Sequence, residues 1–216
     1  MKDAAILKSG VTLAAIAAIC TALVAFTFQL TEERIEANEQ AWLERSLQPA
    51  LSGLFYDGSV TESKIIVPPP HELPGSDAAI IYRVYAQGAP VAALFVVSAR
   101  DGYSGPIRIL VGVDTKGTVT GVHVLEHRET PGLGDRVEST KSDWVAQFDG
   151  RSLVDPEPGG WAIKGDGGQF DQLTGASVTP RAIIKAIRNT LLYYDAHRVE
   201  IFAEVTAESN EEEEAP

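Results

Sequence analysis

Asp171-Gln172-Leu173-Thr174-Gly175-Ala176-Ser177-Val178-Thr179-Pro180-Arg181 runs straight into the most regular helical pattern of the chain, with Ile183, Ile184, Ile187, Leu191 and Leu192 on one face over 180–197. Thr179 reads as the N-cap and Pro180 as the first helical residue, where a missing N–H costs nothing because no intrahelical acceptor exists for it. A capped turn accounts for Thr179, Pro180 and Gly175. It leaves unexplained the three hydroxyls of Thr174, Ser177 and Thr179, gathered around Gly175 and Ala176, whose small side chains leave the backbone open. Free N–H groups and the positive end of a helix suit an anion such as phosphate, and Arg181 adds charge.

Upstream of this helix, three stretches rich in β-branched and apolar residues, 79–85, 91–98 and 107–113, are separated by Gly88-Ala89-Pro90 and by Asp101-Gly102-Tyr103-Ser104-Gly105-Pro106. A fourth, 119–126, follows Asp114-Thr115-Lys116-Gly117, which reads as a hairpin loop. Four strands in series predict an antiparallel sheet, and the helix after them an α+β fold with helices packed against that sheet. A short helix is expected over 142–148, a Gly/Pro/Asp-rich loop over 155–168, and at 199–205 either a last strand or an extension of the preceding helix.

The front of the chain has a different character. The 23 residues from Ser9 to Thr31 carry no charge, and as a helix they would span about 34 Å, more than the roughly 30 Å of a hydrocarbon core. A cleaved signal peptide is the competing reading. Its apolar region is usually shorter, and no small-x-small site precedes Glu32-Glu33-Arg34. Ile19, standing where a small residue would precede a lipidated cysteine, argues against a lipoprotein. Lys2 and Lys8, set against an acidic remainder, place the N-terminus in the cytoplasm and the main domain outside, as a single-pass protein. The expected organisation is therefore a cytoplasmic start (1–8), a transmembrane helix (9–31), a helical stalk and connector (32–75), a periplasmic domain (76–206) and an acidic disordered tail (207–216). The stalk rests on the spacing of Ile35, Trp42, Leu43, Leu47 and Leu51, which ends before Pro68-Pro69-Pro70.

Composition removes several classes of function. The 216 residues carry a net charge of −12, and since the first 31 hold +1, the exported part holds −13. Such acidity opposes sequence-independent binding of DNA or RNA. Cys20 is the only cysteine, so the exported domain has neither disulfides nor thiolate ligation of metal. His71, His123, His127 and His197 follow no metal-ligand spacing, and no metal is expected. Gly-x-Ser-x-Gly, Walker A and complete Gly-x-Gly-x-x-Gly sequences are missing, which leaves ordinary hydrolases and nucleotide-driven enzymes without support.

Three ordered motifs then carry a resemblance. Thr174-Gly175-Ala176-Ser177-x-Thr179 is similar to the Ser/Thr-Gly-Ala-Thr-x-Ser/Thr signature of the periplasmic FMN-binding domain family. Gly102-Tyr103-x-Gly105-Pro106-Ile107 and His127-Arg128-Glu129-Thr130-Pro131-Gly132-Leu133-Gly134 agree with it as well. With one apolar span and this length, the chain resembles the G subunits of Rnf (Rsx) ion-translocating electron-transport complexes from the span to Val205. The C subunits of sodium-pumping NADH:quinone reductases share the domain and are the competing relatives.

The resemblance implies that FMN is joined by a phosphoester to Ser177. Thr174, Gly175, Ala176 and Thr179 would shape its pocket and its recognition by a flavin transferase. It places Thr130, Gly132 and Leu133 against the isoalloxazine, with Tyr103, Glu129 and Arg181 also in the cofactor site, and implies no catalytic residue beyond the flavin. The family most often has threonine where this chain has Ser177; serine supplies the same hydroxyl. The implied function is electron relay within a membrane complex that couples ferredoxin and NAD oxidoreduction to Na⁺ or H⁺ movement. The chain would be an electron-transfer subunit of a translocase, among other membrane and peripheral subunits. The contrasting class is a non-redox, membrane-anchored assembly module without flavin.

Overall fold

The computed structural model describes residues 44–203, Ser52 apart, and a set of helical positions within 13–28. The chain divides into two units, Met1–Leu43 and Glu44–Pro216. In the first, the described positions are helical and their side chains exposed, Leu13, Ile16, Phe26 and Phe28 among them. Thr21 there donates its hydroxyl to the carbonyl of Ala17 at 2.9 Å, within the helix. Among the described residues no helix is long and apolar enough to cross a membrane. Most of the expected span 9–31 lies outside the described residues, as do 1–8, the stalk over 32–43 and the tail from 204 onward.

The second unit is built on a meander of five strands, β1 (Lys64–Val67), β2 (Ala79–Ala86), β3 (Ala89–Ala99), β4 (Ile107–Asp114) and β5 (Val119–Glu126), each antiparallel to its neighbour in the order β1-β2-β3-β4-β5. The turn between β4 and β5 forms as its sequence predicts. Asp114 Oδ1 accepts the N–H groups of Lys116 and Thr118 at 2.8 Å each, and Gly117 takes a φ of +82°, a conformation that glycine adopts without steric cost.

Leu94-Phe95-Val96-Val97 and Ile109-Leu110-Val111 break the inside-outside alternation, because β3 and β4 are buried on both faces. One face packs on the long helix α1 (Val178–Phe202), whose Ile183, Ile184, Ile187 and Leu191 join Phe95, Ile109 and Val111 in the main core. The other face is covered by the segment 44–51. Gly112 and Gly121 pair across β4 and β5. A Cβ on the first would meet the Ala50 carbonyl oxygen at 2.5 Å and on the second that of Pro49 at 2.6 Å, so these glycines make the flat surface on which Gln48–Leu51 lies.

Three details differ from the sequence expectation, and a fourth decides between two readings it left open. The helix begins two residues early: Ser177 is its N-cap, and Thr179 and Pro180 lie within the first turn. Proline is tolerated there because the first four N–H groups have no acceptor in any case. Of the two readings left open for 199–205, the helical extension holds over 199–202, giving α1 25 residues. Over 142–148 the chain forms a 3₁₀ helix, Trp144–Phe148, set by an aromatic stack of Trp144, Phe148, Phe170 and Trp161 with successive centroids 5.2, 4.7 and 5.0 Å apart. β1 lies inside the stretch read as stalk and connector. Its four residues are too few to show a period and owe their strand to pairing with Ala79–Tyr82.

Candidate functional site

The site is assembled where the start of α1 meets the loops after β3 and β5. The segment entering α1 is fixed at its base: Trp144 Nε1 donates to the Asp171 carbonyl at 2.6 Å, and the Asp171 N–H to Gln147 Oε1 at 2.7 Å. Leu173 is buried, and its carbonyl accepts the Ala176 N–H at 3.1 Å across a turn whose Gly175 has a φ of +82°. A side chain at Gly175 would press on Leu133 Cδ2, 3.1 Å from the position of its Cβ, so the loop 130–134 lies against this turn.

The three hydroxyls fare differently. Thr174 is exposed, Ser177 is half-buried with no side-chain cap bond, and Thr179 is 1 % exposed. Thr179 donates its hydroxyl to Glu129 Oε2 at 2.5 Å. The other carboxylate oxygen of Glu129 accepts the Ser104 N–H at 3.0 Å. Glu129 is itself 4 % exposed. It therefore ties together all three sequence motifs, each from a different loop.

Two glycines make room for that carboxylate. A Cβ on Gly134 would come within 2.8 Å of Glu129 Oε2 and 2.9 Å of Thr179 Oγ1, and one on Gly102 within 3.0 Å of Glu129 Oε1. The backbone N–H of Glu129 donates to His127 Nδ1 at 3.1 Å, which places the imidazole proton on Nε2, 2.8 Å from Glu138 Oε1. Lys141 completes the network, 2.6 Å from Glu138 and 3.0 Å from Asp135. The backbone N–H of Gly132 and the Lys141 ammonium hold the Asp135 carboxyl below the usual carboxylate range. The Lys141 hydrogen bond does the same for Glu138.

Thr130, Gly132 and Leu133 share one tight loop. The Thr130 carbonyl accepts the N–H groups of Leu133 and Gly134, and Gly132 has a φ of +79°. Tyr103 is 72 % exposed beside Ser104. Arg181 is not a free cation: its guanidinium grips Asp166 through two bonds of 2.6 and 2.8 Å, which lowers the Asp166 pKa. Sequence reasoning did not single out Gly102, Gly134, Ser104 or Asp166. The first three stand inside the quoted motifs, whereas nothing local marks Asp166 as the partner of Arg181.

This sheet, helix and loop arrangement is compatible with an FMN-binding domain. Residues 102–192 match the family model described as the FMN-binding domain, and residues 1–49 match the one described as the RnfG N-terminal region. The chain is 43% identical over 208 residues to the G subunit of the ion-translocating oxidoreductase complex of Pseudomonas aeruginosa, covering 95% of this chain and 96% of that protein. With the corresponding protein of Pseudoalteromonas atlantica it shares 41% identity over 198 residues, 92% of each chain. The chain belongs to the family of G subunits of ion-translocating oxidoreductase complexes. The crystal structure of Shewanella oneidensis NqrC has the same fold, with a TM-score of 0.51 at 18% identity over 76% of this chain and 98% of that one.

Proposed function

We propose that this chain is a single-pass flavoprotein subunit that carries FMN in phosphoester linkage to Ser177 and relays electrons within an ion-translocating oxidoreductase complex. The observation that carries the reading is the inequality of the three hydroxyls. Thr179 is buried and committed to Glu129, while the Ser177 side chain is uncommitted at the N-cap of a 25-residue helix. Unpaired N–H groups and the positive end of the dipole there favour a phosphate.

The residues present fit such a group. Gly175 and Ala176 put no bulk beside Ser177, Leu133 offers a partly exposed apolar surface next to the turn, and the Arg181 charge is neutralised by Asp166, which leaves the helix terminus as the anion site. Attachment would form an Oγ–P bond on Ser177 and break the pyrophosphate of FAD, with AMP as the leaving group and the hydroxyl proton released, under a flavin transferase. Bound flavin supplies one- and two-electron chemistry, so the protein needs to hold and place it and requires no acid-base residue of its own. The apolar stretch 9–31 supports a membrane anchor with the domain on the periplasmic side, and the family supports partner subunits that conduct the ion.

The test is co-production of the full chain with a bacterial flavin transferase, read as flavin fluorescence of the denatured band. Wild type should fluoresce and Ser177→Ala should be dark. A dark wild type, or a Ser177→Ala band as bright as wild type, overturns the proposal.

A further inference from the structure

We infer that Glu129 is a positioning residue for flavin attachment: its buried carboxylate acts as a double hydrogen-bond acceptor that fixes the start of α1, and thereby Ser177, against the two neighbouring loops. The inference rests on the Ser177 reading above. It assigns Glu129 and Thr179 a role different from lining the cofactor pocket, since both are buried and the Glu129 carboxylate is taken up by the Thr179 hydroxyl and the Ser104 N–H.

The geometry shows a built cradle. Oε1 takes the Ser104 N–H and Oε2 the Thr179 hydroxyl, one donor from the loop after β3 and one from the first turn of α1. Glycines flank the carboxylate: a Cβ at 102 would collide with the Gly105 carbonyl oxygen and meet Glu129 Oε1 at 3.0 Å, and one at 134 would meet Glu129 Oε2 at 2.8 Å and Glu129 Cβ at 2.9 Å. Among the described residues no cation lies within ion-pair distance of Glu129, so hydrogen bonds, and not a salt bridge, satisfy it. The chain on either side is anchored too, through the Glu129 N–H on His127.

A hydrogen-bonding role separates two substitutions at this position. Glu129→Gln keeps an acceptor for the Ser104 N–H, and its amide can donate to the Thr179 hydroxyl, which rotates to accept. Glu129→Ala leaves the Ser104 N–H and the Thr179 hydroxyl without partners. Thr179→Ser and Thr179→Val form the matching pair from the other side of the bond.

The experiment measures, on the full chain, the rate of flavin incorporation by the transferase and, on unmodified protein, amide hydrogen exchange over 173–181. Glu129→Gln and Thr179→Ser should stay within about two-fold of wild type in both. Glu129→Ala and Thr179→Val should incorporate flavin about ten-fold more slowly and exchange about ten-fold faster, the scale set by a buried polar group that has lost its partner. Wild-type exchange over 173–181 in Glu129→Ala overturns the inference whether or not flavin is attached. So does Glu129→Gln as slow as Glu129→Ala, which would make the charge the property that matters. Failure of wild type to take flavin, with the exchange pattern intact, counts against the Ser177 reading alone and leaves the loop-fixing role standing.

Discussion

Thr179 donates its hydroxyl to Glu129 Oε2 across 50 residues of sequence, in a contact that is buried on both sides. The bond ties the first turn of α1 to the loop after β5, while the half-buried N-cap Ser177 has no side-chain hydrogen bond among the described residues.

Replacing Thr179 with valine keeps the shape and strands a buried carboxylate oxygen. The loss should be about 1–3 kcal/mol, since an unsatisfied buried acceptor forfeits its solvation without compensation. Denaturant unfolding of the unmodified full chain measures it, and an unchanged midpoint would mean that water replaces the hydroxyl.

Gly121→Ala should dislodge the segment 48–51 from the sheet. The new Cβ would lie 2.6 Å from the Pro49 carbonyl oxygen and 2.9 Å from Ala50 Cα, both backbone atoms that cannot swing aside. A destabilisation of about 1–3 kcal/mol is expected from overpacking of this kind. Protease cleavage after residues 44–51 should rise in parallel.

Phe148 sits at the middle of the aromatic stack and is 0 % exposed. Phe148→Ala should cost about 3–5 kcal/mol, the range for removing a fully packed aromatic side chain. Because Trp144 beside it holds the Asp171 carbonyl, the segment leading into α1 should loosen as well, seen as faster exchange at 171–176.

Asp135 gives a pH dependence with a definite sign. Its folded pKa is lowered by the Gly132 N–H and by Lys141, so its stabilisation is complete above the ordinary carboxylate range and fades as pH falls through the folded value. The stability difference between wild type and Asp135→Asn should therefore shrink as pH is taken from about 7 to about 3. Glu138 and Lys141 remain in both proteins, so a difference independent of pH would contradict the assignment.

Much of this was legible in the sequence for physical reasons. Strands β2 to β5 announce themselves by β-branched runs between turn residues, and α1 by its apolar spacing, so the antiparallel sheet and its long helix follow from local patterns. The short helix expected over 142–148 is present, but its 3₁₀ form over Trp144–Phe148 and the four-residue β1 are not legible locally, because each is held by tertiary partners and is too short to carry a period. At the site, the motifs predicted which loops converge but not which atoms meet. Thr179 has the residue type of an N-cap, yet the helix starts two residues earlier with Ser177 at that place, and the Thr179 hydroxyl is buried against Glu129. Arg181 reads as a phosphate ligand from its position alone, and only the fold brings Asp166, 15 residues away, into its reach.

The most direct test is the intact mass and peptide map of the protein purified from its native membrane, compared with Ser177→Ala. An FMN-sized adduct on the peptide spanning 173–181, absent from Ser177→Ala, is the predicted result. An unmodified Ser177, or an adduct that survives Ser177→Ala on Thr174 or Thr179, would contradict the assignment of Ser177 as the attachment residue.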